Sequence, residues 1–141
     1  MAAKTKLVLV IDDDPDFLEF IRIVLESAAY EVMTTTTVEH GLEVMRKQKP
    51  DLAIVDIMIS YILDGLSLIR RMREDPALAG TPMLLISAIM SIDDLRELPA
   101  SPSADGFMTK PVDPAELLRE VARLIDGTQK QSEPTEEKKE E

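Results

Sequence analysis

The stretch that decides the fold is LVLVIDDDPDFL, residues 7–18. Leu7 to Ile11 are apolar without alternation, the pattern of a strand buried on both faces, and they end abruptly at three carboxylates. Asp14 then supplies a helix cap and Pro15 suits the first helical position. Phe17, Leu18, Ile21, Val24 and Leu25 follow as one apolar face at helical spacing. A buried strand, an acidic turn and an amphipathic helix make the first half of a βαβ unit.

Outward from this stretch the pattern recurs. Leu52 to Val55 end in Asp56, Met83 to Ile86 end in Ser87, and Phe107-Met108 stand just before Lys110. Strands are expected at 6–11, 31–35, 51–55, 82–86 and 105–108. Between them, Val38 to Gln48 carry Val38, Leu42 and Met45 on one helical face, and Leu66 to Arg73 carry Leu66, Ile69 and Met72. The last helix repeats the design of the first. Asp113 caps, Pro114 follows, Glu116 has capping-box spacing, and Leu117, Leu118, Val121, Leu124 and Ile125 face inward until Gly127 ends the run. Strands alternating with helices specify an α/β domain with a parallel sheet.

Ligands of open parallel sheets bind beyond the carboxyl ends of the strands. Asp12, Asp13, Asp56, Ser87 and Lys110 are therefore expected at one edge. Three carboxylates there repel one another unless a cation lies between them. Mg²⁺ suits such a site, because it takes hard oxygen ligands, needs few carboxylates and keeps waters that a phosphate can replace. Asp14 alone satisfies a turn-and-cap reading of the acidic triplet, and the two further acids point to a metal. Ser87 offers a hydroxyl donor and Lys110 an ammonium for a phosphoryl oxygen. Pro111 is a cis-proline candidate that would aim Lys110 inward.

Composition bounds the rest. A chain of 141 residues, 45% hydrophobic, fits one domain with a genuine core. Its 27 acidic and 16 basic residues give a net charge of -11, which disfavours nucleic acid and anionic lipid as partners. The chain has no cysteine, no signal-peptide core between Met1 and Lys6 and no run of membrane-spanning length. A cytoplasmic protein without membrane contact is the expectation. Pro99 and Pro102 limit any helix between Ser91 and Ala104 to a short one ending near Leu98. Thr128 to Glu141 contain no apolar residue. The domain is thus expected over residues 1–127, with 128–141 a polar, charged, disordered tail. His40 reads as an ordinary exposed residue.

The order of these groups, an acidic pair, an aspartate, a hydroxyl residue and Lys-Pro, resembles the receiver domain of two-component response regulators over about residues 5 to 126. The resemblance implies a doubly wound, flavodoxin-like, five-stranded parallel sheet of order 2-1-3-4-5 with helices on both faces. It implies that Asp12, Asp13, Asp56 and the backbone carbonyl of Met58 bind Mg²⁺. Asp56 would accept a phosphoryl group from a phosphohistidine of a histidine kinase or histidine phosphotransfer protein. Ser87 and Lys110 would then grip that group, and Phe107 would be the aromatic switch. Such a protein is a signalling phosphoacceptor, promoting only its own phosphorylation and dephosphorylation, rather than an enzyme. With no output module after Gly127, a stand-alone regulator is expected, acting on a downstream target protein or by homodimerising on phosphorylation.

Three departures from the family pattern carry expectations of their own. The loop Ile57 to Gly65 lacks the usual Met-Pro pair and is a residue longer, which offers Tyr61, Ile62 and Leu63 as an apolar tip. Pro99 and Pro102 alter a region that many receivers signal through. Met58 and Ile89 stand where polar side chains often orient a hydrolytic water, so a long-lived aspartyl phosphate is expected. Two rival readings remain at this level: a haloacid-dehalogenase-like phosphatase using Asp12 and Asp14, and a degenerate receiver that binds a partner without phosphorylation.

Overall fold

The computed structural model describes residues 5–57, 64–88, 93 and 104–129. The strands are β1 (Leu7–Ile11), β2 (Glu31–Thr35), β3 (Leu52–Asp56), β4 (Met83–Ser87) and β5 (Gly106–Thr109). The helices are α1 (Pro15–Ser27), α2 (Val38–Gln48), α3 (Asp64–Glu74) and α4 (Pro114–Gln129). All strand pairings are parallel and the sheet order is β2-β1-β3-β4-β5, as the resemblance implies. The loop from Met58 to Leu63, Ile89, and the prolines at 99 and 102 lie outside the described residues, as does the chain beyond Gln129.

The two faces of the sheet organise two cores. Leu9, Ile11, Ala53, Val55, Met83 and Leu85 point to the face that α2 and α3 cover with Leu42, Met45, Leu68, Ile69 and Met72. Val8, Val10, Leu52, Ile54, Leu84 and Ile86 point to the other, covered from α1 and α4 by Leu18, Ile21, Leu25, Leu117, Val121 and Ile125. Alternate residues of each strand thus serve different cores, and both cores are apolar. That is why these strands read as unbroken hydrophobic runs.

Helix starts follow local chemistry. The Asp14 carboxylate accepts the Asp16 N–H, Thr37 Oγ1 accepts the His40 N–H, and Asp113 Oδ2 accepts the Glu116 N–H. The last helix continues through Gly127 to Gln129 rather than stopping there. No described glycine has positive φ, so Gly127 forms no left-handed cap, and a lone helical glycine costs only about 1 kcal/mol. Gly41 answers a different need. A Cβ there would lie 2.5 Å from Ile11 Cδ1 and 3.3 Å from Thr35 Oγ1, so α2 can approach β1 and β2 this closely only without a side chain.

At the amino-terminal edge of the sheet, polar side chains tie elements together. Asp51 Oδ2 accepts the Leu7 N–H at 2.8 Å. Arg73 of α3 donates to the carbonyls of Ala79 and Thr81 and to Asp105 Oδ2, each at 2.8 Å. The same Asp105 oxygen accepts the Met83 N–H. On the surface, hydrogen bonds from the Arg71 guanidinium hold the Glu39 carboxyl below its ordinary value, an exposed link between α2 and α3 of small energetic weight.

Candidate functional site

The carboxyl edge of the sheet is fixed by hydrogen bonds that run one step past the strands. The Asp12 N–H donates to the Thr35 carbonyl, Ile57 to that of Ile86 and Lys110 to that of Ser87. These bonds pin the backbones of Asp12, Asp56, Ser87 and Lys110 against their neighbours, so their positions are set by the sheet. Asp12 and Asp56 are buried and Ser87 is fully buried, whereas Asp13 is half-buried.

The structure brings the expected acids together. Asp12, Asp13 and Asp56 each present a carboxylate oxygen, all within 4.8 Å of one another. Lys110 Nζ lies 2.8 Å from Asp12 Oδ2 and 3.7 Å from Asp56 Oδ2. Asp12 Oδ1 accepts the Asp14 N–H at 2.9 Å, so both its oxygens are engaged. One ammonium among three carboxylates leaves an excess of two negative charges. Like charges about 4 Å apart repel by roughly 4 kcal/mol at the effective dielectric of a protein surface. A hard divalent cation matches both that excess and the all-oxygen donor set, so these residues fit Mg²⁺.

Other expected residues divide. The Lys110-Pro111 bond is cis. Ser87 closes β4 beside Lys110, pairing with Thr109. Phe107 is half-buried against the core on the α2–α3 face and borders a cavity of about 360 Å³ lined also by Thr109, Pro111, Glu116 and Arg119. Met58 lies outside the described residues. Asp14, which the phosphatase alternative requires, is exposed and serves as the cap of α1. His40 is exposed on α2.

One contact was not legible in the sequence. The Lys110 ammonium sits 4.0 Å from the centroid of the Phe17 ring, in the cation–π range. Phe17 shows in the sequence only as part of an apolar helical face. Its place in the first turn of α1, directly after the acids, is the only local hint that its ring reaches the site.

With this geometry in view, comparison with known proteins gives one answer. The model of the response regulator receiver domain family matches residues 8–122, and the chain belongs to that family. Among curated proteins it is similar to the DNA-binding dual master transcriptional regulator RpaA of Synechocystis sp., 34% identical over 86% of this chain and 49% of the relative. It is also similar to the phosphate regulon regulator PhoB of Pseudomonas aeruginosa, 32% identical over 87% of this chain and 53% of the relative. The chain thus spans about half the length of these regulators. Among solved structures, a CheY-like receiver domain protein of Methanospirillum hungatei superposes with a TM-score of 0.79 at 26% identity, covering 91% of this chain and 99% of the other. The chemotaxis response regulator CheY4 of Vibrio cholerae gives 0.76 at 26% identity over 86% and 99%. The fold is therefore the flavodoxin-like receiver fold, and its place is in two-component signalling. No described helix is long and apolar enough to cross a membrane.

Proposed function

We propose that this chain is a phosphoacceptor in a two-component phosphorelay, with Asp56 receiving a phosphoryl group from a phosphohistidine of a histidine kinase or histidine phosphotransfer protein. The observation that carries this reading is the meeting of three carboxylates within 4.8 Å around one lysine at the carboxyl edge of the sheet. Asp12, Asp13 and Asp56 would hold Mg²⁺, with the Met58 backbone carbonyl added by family resemblance. When bound, the ion neutralises charge on the carboxylates and on the incoming phosphoryl oxygens.

The chain's own groups perform the rest. An Asp56 carboxylate oxygen attacks phosphorus in line, the P–N bond breaks, and the imidazole leaves with the electron pair. Lys110, now on Asp12, has a short distance to travel to a phosphoryl oxygen on Asp56. Ser87 donates its hydroxyl to a second oxygen. These movements draw the ends of β4 and β5 together and pass through Phe107 to the face formed by β5 and α4. The protein acts in the cytoplasm by binding a downstream target protein or a second copy of itself. A relative is named as a DNA-binding regulator, but the net charge of -11 disfavours unaided binding of this chain to nucleic acid.

The test is incubation with Mg²⁺ and acetyl phosphate followed by intact mass. The parent should gain one phosphate and Asp56→Asn none. Turnover of phosphate monoesters surviving in Asp56→Asn would instead restore the phosphatase reading, and no gain in the parent with any donor would leave a binding module. Slow loss of the phosphate from the Mg²⁺-loaded protein is expected from the apolar Met58 and Ile89.

A further inference from the structure

We propose that Phe17 is a positioning residue for Lys110, holding the ammonium at the phosphoryl site through its ring face; this rests on the function proposed above. Lys110 leaves β5 with a backbone anchored to Ser87, but its four-carbon stem is flexible and has many rotamers open to it. Three described contacts restrain its head: Asp12 Oδ2 at 2.8 Å, Asp56 Oδ2 at 3.7 Å and the Phe17 ring at 4.0 Å. The first two are carboxylates that the metal and the phosphoryl group would claim. The ring is the contact that neither can take, since it offers a cation only its quadrupole and coordinates no metal.

The ring is itself well placed to do this. Phe17 stands in the first turn of α1, just beyond the cap at Asp14, so one short segment sets both the acids and the aromatic face. Its centroid is 6.1 Å from that of Phe20 at a tilt of 40°, and both rings pack against the core on the α1–α4 side. Lys110 is only 17% exposed, which spares the cation–π contact from full solvent competition. As Lys110 exchanges Asp12 for the transferred group, the ring keeps its head within the site.

The test compares the parent with Phe17→Leu and Phe17→Tyr. In the unphosphorylated proteins, the Lys110 side-chain methylene protons should show an upfield ring-current shift in the parent and in Phe17→Tyr that is lost in Phe17→Leu. At saturating Mg²⁺, uptake of phosphate from acetyl phosphate should slow roughly five- to thirtyfold in Phe17→Leu and recover in Phe17→Tyr. Mg²⁺ affinity should be unchanged in both, since the ring touches no ligand. Absence of the shift in the parent, or uptake at the parental rate in Phe17→Leu, overturns the inference alone. Equal loss of Mg²⁺ affinity and uptake in Phe17→Leu also overturns it, because the ring would then be only structural. A parent that takes up no phosphate overturns the proposed function and this inference with it.

Discussion

Asp12 is the residue on which competing demands meet. It is 1% exposed, it accepts the Asp14 N–H with one oxygen, and it holds Lys110 with the other. Removing the ammonium by Lys110→Ala should destabilise the metal-free protein by about 1–3 kcal/mol, since buried carboxylates lose their compensating charge. Asp56→Asn should do the reverse and stabilise the metal-free protein by on the order of 1 kcal/mol, by removing one member of a repelling trio. Urea denaturation without divalent ions checks both signs, and a less stable Asp56→Asn would contradict the account. At this scale much was legible. Each site residue ends an apolar run, and a charged or hydroxyl group at the end of a buried strand is conspicuous. That Lys110 joins the acids was legible from the strand ends; which oxygen it takes, and that it leans on Phe17, was not, because Lys110 and Asp12 are 98 residues apart and no local periodicity links them.

Among the elements, α1 and α2 bring the strongest expectations. Gly41→Val should destabilise by about 2–3 kcal/mol, because overpacking a fully buried neighbour such as Ile11 outweighs any gain in helix propensity. A thermal melt measures this, and an unchanged midpoint would show that α2 can shift away from β1. Tyr30, between α1 and β2, offers a pH test. Burial, and then the negative charge of Asp126, raise its phenol above the ordinary 10.0. A raised folded-state value favours the neutral phenol, so its contribution is full below the unfolded value and is lost as pH rises through the folded one. Tyrosine absorbance should therefore titrate partly above pH 10.0, and Tyr30→Phe should remove that component. The helices and strands were readable to within a residue or two because caps and apolar faces are local. The end of α4 was not, since a glycine signals termination only where a left-handed residue is required, and Gly127 adopts no such conformation.

For the whole molecule, the net charge of -11 works against compaction even though the cores are apolar. Sodium chloride should raise the melting midpoint of the metal-free protein by screening, whereas Mg²⁺ should raise it further, through a stabilisation of about 2.7 kcal/mol at a free concentration a hundredfold above Kd that keeps growing with the logarithm of concentration. Calorimetry at matched ionic strength separates the two, and identical effects of Na⁺ and Mg²⁺ would deny a specific cation site. The class of fold was legible in the alternation of strands and helices. Strand order was not, because nothing in a run such as Leu52–Val55 records its neighbours, and it came with the resemblance of the site residues. The bracing of β5 has a mechanical consequence. Arg73 and Asp105 fasten its leading end to α3 and β4, while its trailing end bears the lysine that reaches for the acids. Side chains brace a post at Asp105, while backbone pairing to Ser87 latches the other end, so a tug at Lys110 strains the Thr109 end of β5 before the Gly106 end. Amide exchange on activation should accordingly change more at Thr109 than at Gly106, and cutting the post with Arg73→Ala should erase that gradient.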